Sequence, residues 1–114
     1  MDLEVSECEK EGYTPLISSD SWRVAVVNSC KKLLEENLAK IERHLLTDEV
    51  FVLLKGGAAL FIGKEMKKYS LEPCKAYNVK CGVWHCIALL ENSSVLVIEN
   101  DSTSTENSEY CYFG

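Results

Sequence analysis

The chain lacks the long apolar run and the excess of positive charge that would assign it to several large classes of protein. No apolar stretch among its 114 residues approaches the roughly 18 that a membrane span needs. Asp and Glu outnumber Lys and Arg by 18 to 12, and the resulting charge of -6 repels nucleic-acid phosphates. The amino terminus has neither the basic start nor the apolar stretch of a secretory signal. We therefore expect a cytoplasmic protein that binds neither nucleic acid nor membranes.

The cysteines also lack a spacing that indicates a metal module. There are six, no CxxC pair occurs, and CGVWHC around His85 matches no common zinc site. Thiols in the cytosol stay reduced, and buried ones behave as small apolar side chains. We predict six free thiols.

What the chain does contain is a succession of short β-rich segments. Its length fits a single domain, residues 1–114, with residues 1–12 polar and flexible. From residue 49 onward strand-like segments alternate with turn signals, and KGG and ENSS have the composition of hairpin turns. The main predicted strands are WRVAVVN, VFVLL, AALFI, VWHCIALL and SVLVIEN. This pattern predicts an all-β barrel or sandwich.

Residues 30–45 allow two interpretations. In CKKLLEENLAKIERHLL the apolar residues recur at helical spacing, which predicts a helix from about 30 to 45. The alternative is a helical turn near 32–37 followed by a strand through IERHL. Periodicity does not decide between them.

A first motif lies immediately after that segment. ERHLLTDE carries Glu42, His44 and Glu49, and Gly56 follows after VFVLLK. This spacing resembles the first motif of the cupin superfamily, which has two histidines one residue apart, then a glutamate, then a glycine. His44, Glu49 and Gly56 occupy the positions of the second histidine, the glutamate and the glycine. Glu42 stands where the family has its first histidine.

A second motif resembles the other conserved segment of the same superfamily. In CKAYNVKCGVWHCIAL, Gly82 and His85 match the family's glycine and histidine. Cys74, Lys80 and Leu89 replace its leading glycine, its proline and its asparagine. The two motifs together cover about residues 42–89, and they resemble those of small single-domain bacterial cupins of poorly defined function.

The resemblance implies a cupin double-stranded β-helix, a jelly-roll barrel of two facing antiparallel sheets with little helix. It favours the strand through IERHL and implies a pocket inside the barrel, where the motif residues of cupins usually hold one divalent metal.

Strand alternation places the same residues together. Side chains two apart share a face, so Glu42 lies with His44, and Glu49 lies with Phe51 after a turn at Thr47-Asp48. If the barrel brings His44, Glu49 and His85 together, two imidazoles and a carboxylate suit iron(II), manganese or zinc.

Around that triad, Glu42 is a candidate fourth ligand or catalytic proton carrier. The aromatic residues Phe51, Tyr77 and Trp84 are candidates for the lining of a ligand pocket, although aromatic residues in strands often belong to the core.

Two functions fit these expectations. The first is a metal-dependent enzyme of the lyase, isomerase or dioxygenase type that acts on a small organic acid or sugar derivative. The second is a metal-free module that binds or senses a small molecule, in which Glu42 and Glu49 hydrogen-bond the histidines instead. Exposed sheet edges and apolar faces on so short a chain predict a homodimer.

Overall fold

The structure, a computed structural model, describes residues 2–113. Met1, where the predicted flexible segment begins, and Gly114 lie outside the described residues. This part of the chain forms ten strands and three short 3-10 helices. The strands are β1 Gly12–Ser19, β2 Trp22–Asn28, β3 Lys40–His44, β4 Glu49–Lys55, β5 Ala58–Ile62, β6 Lys67–Ser70, β7 Tyr77–Val79, β8 His85–Leu89, β9 Ser94–Asn100 and β10 Ser108–Tyr112. The 3-10 helices are Lys31–Leu33, Glu35–Asn37 and Thr105–Asn107.

The strands pair antiparallel in two five-stranded sheets. Sheet A has the order β1-β2-β9-β4-β7, and sheet B has the order β10-β3-β8-β5-β6. Several neighbouring strands are distant in sequence, with β9 between β2 and β4 and β8 between β3 and β5. Two facing sheets with this order form a jelly roll, which confirms the predicted all-β fold.

The ambiguous segment forms a strand rather than one helix. Residues 31–37 form two single 3-10 turns, and β3 begins at Lys40, so the predicted helical turn followed by a strand is confirmed and the continuous helix is wrong. In β3, Ile41 is buried, and Glu42 pairs with Tyr110 of β10 and with His85 of β8. Pairing on both edges outweighs the local helical spacing.

The main core fills the space between the sheets. Its buried residues are Ala25, Val27, Phe51, Leu53, Leu60, Leu71, Val79, Leu89, Val95 and Val97. A smaller cluster lies on the other face of sheet B and contains Ile41, Ala59, Phe61, Cys86 and Ala88. Cys86 and Ala88 are thus separated from Leu89 as strand alternation predicts.

The KGG turn between β4 and β5 depends on Gly56, but it is not the predicted hairpin, because β4 lies in sheet A and β5 lies in sheet B. ENSS likewise links β8 of sheet B to β9 of sheet A, so both hairpin predictions are wrong. Gly56 has φ +74°, which L side chains rarely adopt, and an added Cβ would collide with Ser93. The hydroxyl of Ser93 accepts a hydrogen bond from the Gly57 N–H at 2.9 Å. The turn therefore carries the chain from β4 of sheet A to β5 of sheet B with no room for a side chain at Gly56.

The edge strands β1 and β10 were not predicted. β1 contains Pro15 at a bulge in its pairing with β2, and β10 lies in the carboxyl-terminal segment, which is polar up to Glu109. Edge strands have a weak sequence signal because one side faces solvent. Before β1, residues 2–11 form no strand, although the Asn28 amide donates to the carbonyls of Cys8 and Lys10.

All six cysteines carry free thiols, and Cys86 is the buried one. Within residues 2–113, no helix has the length and apolar character needed to cross a bilayer.

Candidate functional site

A cavity of about 360 Å³ lies between the two sheets, and its lining contains both histidines of the chain. The polar part of the lining consists of Tyr13, Lys32, Glu42, His44, Glu49, His85 and Glu99. A larger groove of about 890 Å³ runs between the amino-terminal segment and strands of sheet A. That groove contains neither histidine, so the cavity is the better candidate for chemistry.

Four strand positions bring the motif residues into this cavity. Glu42 and His44 project from β3, and His85 is the first residue of β8, directly opposite Glu42 in the sheet B pairing. Glu49 is the first residue of β4 in sheet A and faces them across the cavity. A backbone hydrogen bond of 2.9 Å from the Gly82 N–H to the His44 carbonyl ties the two motifs together.

A chain of contacts joins the four side chains. Glu49 Oε1 lies 3.0 Å from His85 Nε2 and 3.3 Å from His44 Nε2. Glu42 Oε1 lies 3.7 Å from His44 Nε2. Ligand atoms of Glu42, His44 and His85 all lie within 4.8 Å of one another. This is a group of carboxylate and imidazole ligands that could hold a metal ion.

Hydrogen bonds at the Nδ1 atoms of His44 and His85 fix the orientation of both imidazole rings. His85 Nδ1 lies 3.0 Å from the Val83 carbonyl, which only accepts, so this nitrogen carries the hydrogen. His44 Nδ1 lies 2.7 Å from Ser108 Oγ. His85 Nε2 therefore meets the Glu49 carboxylate as one acceptor facing another, unless a proton or a metal ion lies between them.

The electrostatics of the metal-free group follow from these contacts. Burial alone would lower the pKa of His44, but hydrogen bonds and charges from Glu42 and Glu49 outweigh it and raise the pKa to about 10. Burial alone would raise the pKa of Glu49, but the two histidines outweigh it and lower the pKa to about 2. Without a metal, the group is held together by protonated imidazole and ionised carboxylate.

A second polar group lies on the sheet A side of the cavity. Glu99 on β9 is directly opposite Arg23 on β2, and Arg23 Nη2 donates to Glu99 Oε1 at 3.1 Å. The hydroxyl of Tyr13 donates to Glu99 Oε2, also at 3.1 Å. The Arg23 guanidinium also donates hydrogen bonds to the carbonyls of Asp101 and Thr103, at 3.1 and 3.3 Å.

Sequence reasoning missed this second group, although a signal for part of it was present. Arg23 and Glu99 are charged residues inside otherwise apolar strands, where an unpaired buried charge is costly. Tyr13 had no such signal, because β1 itself was not predicted. Burial, followed by the charge of Glu49, raises the pKa of Glu99 in spite of Arg23.

The three predicted pocket aromatics lie in different places. Phe51 lines the cavity, and its ring meets that of His85 with 5.9 Å between centroids. Tyr77 lines a separate, mostly apolar pocket of about 270 Å³ that also contains Leu60. Trp84 packs against the smaller cluster on the other face of sheet B. The structure therefore brings Phe51, but not Tyr77 or Trp84, to the imidazoles.

No protein-family model matches the chain, and no curated protein matches it. Solved structures do match. A cupin-2 domain protein from Shewanella frigidimarina NCIMB 400 aligns at TM-score 0.59 and 19% identity, over 81% of this chain and 84% of that one. The Fe(II) form of HppE aligns at TM-score 0.61 and 21% identity, over 78% of this chain and 50% of that one.

Another solved structure matches over more of the chain. A Streptomyces Pac13 variant with uridine aligns at TM-score 0.69 and 9% identity, over 99% of this chain and 93% of that one. Pac13 is described as a nucleoside dehydratase. At these identities the likeness concerns the fold, and the chain accordingly has the cupin jelly-roll fold.

Proposed function

We propose that this chain binds a small organic ligand in the cavity, beside a divalent metal ion held by His44, Glu49 and His85. Glu42 would complete the site as a fourth ligand or as a proton carrier. One observation carries the proposal: both imidazole Nε2 atoms converge on Glu49 while the backbone carbonyl of Val83 occupies Nδ1 of His85. Metal-binding histidines almost always donate their other N–H in this way, which directs the free nitrogen at the metal.

The spacing and charge of the donor atoms fit such an ion. Metal–ligand bonds of roughly 2.0–2.2 Å place neighbouring ligand atoms about 3 Å apart. The contacts of Glu49 Oε1 with the two Nε2 atoms, 3.0 and 3.3 Å, match that spacing. Two nearby carboxylates would balance a divalent charge, and this mixed set suits iron(II), manganese or zinc. The similar fold of the Fe(II) protein HppE supports the same choice.

If the protein is an enzyme, a bound metal would polarise a substrate oxygen. Glu42 is the most accessible carboxylate of the group, with 34% of its side chain exposed against 9% for Glu49. It is therefore the residue best placed to move a proton between ligand and solvent. This arrangement supports lyase, isomerase or dioxygenase chemistry, and the dehydratase Pac13 is an example of the first class on a similar fold.

Metal titration tests the proposal. Chelator-treated protein would be titrated calorimetrically with manganese and zinc, and with iron(II) under anaerobic conditions. We expect one site per chain, no binding in His85→Ala, and affinity reduced about tenfold in Glu42→Gln. Cys86→Ala is a matched control, because Cys86 follows His85 on the opposite face. Unchanged affinity in His85→Ala would eliminate this site.

A metal-free binding module is the second candidate, and the ion-pair network favours it. With His44 protonated and Glu49 ionised, the group is electrostatically satisfied without a metal. Pac13, seen with uridine, shares the fold over nearly the whole chain. Small-molecule binding by protein that titrates with none of the three metals would establish this candidate.

We further propose a cytoplasmic homodimer. The outer face of sheet A carries two apolar cross-strand rows, and Leu54 beside them is 52% exposed. The rows consist of Val24, Ile98 and Val50, and of Leu96 and Val52 beside Val26, which is itself only 5% exposed. Such a face is typical of an interface between subunits. Light scattering during size exclusion would give the mass in solution, and Leu54→Glu should shift it toward the monomer.

A further inference from the structure

We infer that Glu99 and Tyr13 form a hydroxyl-binding subsite that makes the cavity selective for neutral, polyhydroxylated ligands of monosaccharide or nucleoside size. The inference rests on the proposed function, because it assumes that the cavity beside the imidazoles receives the ligand. It adds the chemical class of that ligand.

The subsite adjoins the imidazole group. Val50 on β4 pairs with Ile98 on β9, so Glu49 and Glu99 occupy the next positions on neighbouring strands. Both line the same cavity of about 360 Å³. This volume is near the lower end of the range for small-molecule sites, so a ligand in contact with His44 also lies against Glu99.

The carboxylate of Glu99 retains capacity to bind a ligand. It accepts one hydrogen bond on each oxygen, from Arg23 and from Tyr13, whereas a carboxylate offers about four acceptor positions. The Tyr13 hydroxyl, which donates to Glu99, keeps its own acceptor lone pairs. Glu99 is 7% exposed, and hydrogen bonds from ligand hydroxyls are stronger in such surroundings than in water.

The charge of the lining disfavours anions. Glu42, Glu49 and Glu99 all line the cavity, so a divalent ion at the imidazoles, or protonated His44 without one, still leaves an excess of negative charge around a bound carboxylate or phosphate. Arg23 does not compensate, because it lies outside the lining and its Nη atoms bind Glu99 and two backbone carbonyls. Lys32 supplies an ammonium on the lining, but this residue is exposed and lies toward solvent.

The rest of the wall suits a ring. Phe51, Ile87 and Val97 provide apolar surface between the polar groups. A sugar or nucleoside ring combines such an apolar face with hydroxyl donors at its edge, which fits a cavity with acceptors at its ends. Ligand hydroxyls would donate to Glu99, and the ring would lie on the apolar wall.

Calorimetric binding of a defined set of molecules tests the inference on the full-length protein. The set comprises D-ribose, D-glucose and uridine as neutral ligands, with 2′-deoxyuridine, uridine monophosphate and citrate as matched comparisons. We expect binding of a neutral member, weakened about tenfold or more by removal of a hydroxyl or by addition of a negative charge. Failure of every neutral member at millimolar concentration, or tighter binding of the anions, would overturn the inference.

Two variants separate recognition from a structural role. Glu99→Gln keeps the shape but loses the charged acceptor, and Tyr13→Phe loses the hydroxyl; each should weaken the neutral ligand about tenfold. Tyr13 is 46% exposed, so its variant should fold even if the other does not. Tyr112→Phe, at an exposed edge-strand position, is the control. Unchanged ligand affinity in folded Tyr13→Phe would assign the group to stability alone.

Metal titration of the same variants keeps this test apart from that of the proposed function. Metal affinity should be unchanged in Tyr13→Phe and lost in His85→Ala. A variant that loses ligand selectivity but binds metal normally would place the defect in the subsite. Unmodified protein with no metal site would contradict the proposed function.

Discussion

Two buried glutamates lie side by side in this molecule and respond in opposite ways to the same surroundings. Glu49 and Glu99 are each 7% exposed, occupy neighbouring strands of sheet A and line one cavity. The pKa of Glu49 is lowered to about 2, whereas the pKa of Glu99 is raised. Equal burial therefore does not fix the direction in which the pKa shifts.

The contacts that each carboxylate makes account for the opposite directions of the two pKa shifts. One oxygen of Glu49 receives both imidazoles, at 3.0 and 3.3 Å, and these contacts outweigh the cost of burial. Glu99 has one guanidinium contact, shared with backbone carbonyls, and it also experiences the negative charge of Glu49. The wall thus combines a carboxylate suited to hold a cation with one whose charge is more weakly favoured.

The largest difference in stability should appear when the charge of Glu49 or of Glu99 is removed from metal-free protein at neutral pH. Glu49→Gln leaves buried imidazoles without their shared acceptor, and we expect a loss of about 3 kcal/mol in the free energy of unfolding. Glu99→Gln removes a charge that burial disfavours, so its cost should stay below about 1 kcal/mol. Urea unfolding of both variants measures the difference, and equal losses would contradict the comparison.

The free energy of unfolding of the unmodified, metal-free chain should depend on pH through Glu49 and His44. Because the folded pKa of Glu49 is lowered, its contribution is present above about 4.5 and is lost as the pH falls toward about 2. Because the folded pKa of His44 is raised, its contribution is present below 6.5 and is lost as the pH rises through about 10.

The two losses predict a stability maximum between roughly pH 5 and pH 6.5 for this group of residues. Thermal unfolding across the pH range checks this prediction, with Glu49→Gln as the comparison. If the melting temperature of Glu49→Gln falls equally steeply at acid pH, other carboxylates cause the acid loss of stability.

A smaller effect is expected at Glu42, on the exposed side of the imidazoles. Its carboxylate is 3.7 Å from His44 Nε2, and a third of its side chain is exposed, so solvent screens the pair. Glu42→Gln should therefore cost at most about 1 kcal/mol, well below Glu49→Gln. Denaturant midpoints of the two variants, measured side by side, decide the order.

The smallest expected change in stability concerns the Tyr13 hydroxyl, which donates a hydrogen bond to Glu99. Tyr13→Phe removes one hydrogen bond at a half-exposed position, and we expect a loss of about 0.5–1 kcal/mol. A loss as large as that of Glu49→Gln would mean that Tyr13, rather than Arg23, is the main partner of Glu99.

Much of the fold could be predicted because the strands of the central sheet region are apolar and are separated by clear turns. Strand alternation around Glu49 and His85 was also sufficient to expect them on inward faces, since both begin apolar strands. The choice of strand over helix for IERHL came from the motif resemblance. Its physical cause, pairing with β8 and β10, is not visible in local sequence.

The second polar group could not be predicted in the same way. Arg23 and Glu99 meet only because β2 pairs with β9, a contact between residues 76 positions apart. Tyr13 reaches them from an edge strand with a weak pattern. Such contacts depend on sheet order, which a single sequence does not specify, whereas faces along one strand depend only on spacing.

The order of strands in the two sheets also determines when the candidate site exists. His85 and Glu49 are 36 positions apart, and Glu49 and Glu99 meet only when β4 lies against β9. An unfolded chain has no means of holding these groups together, so a metal or ligand that needs them binds the native state alone. Every bound molecule then shifts the unfolding equilibrium by mass action, and the melting temperature should rise with its concentration. For this protein, thermal stability is therefore a direct assay for an unidentified ligand.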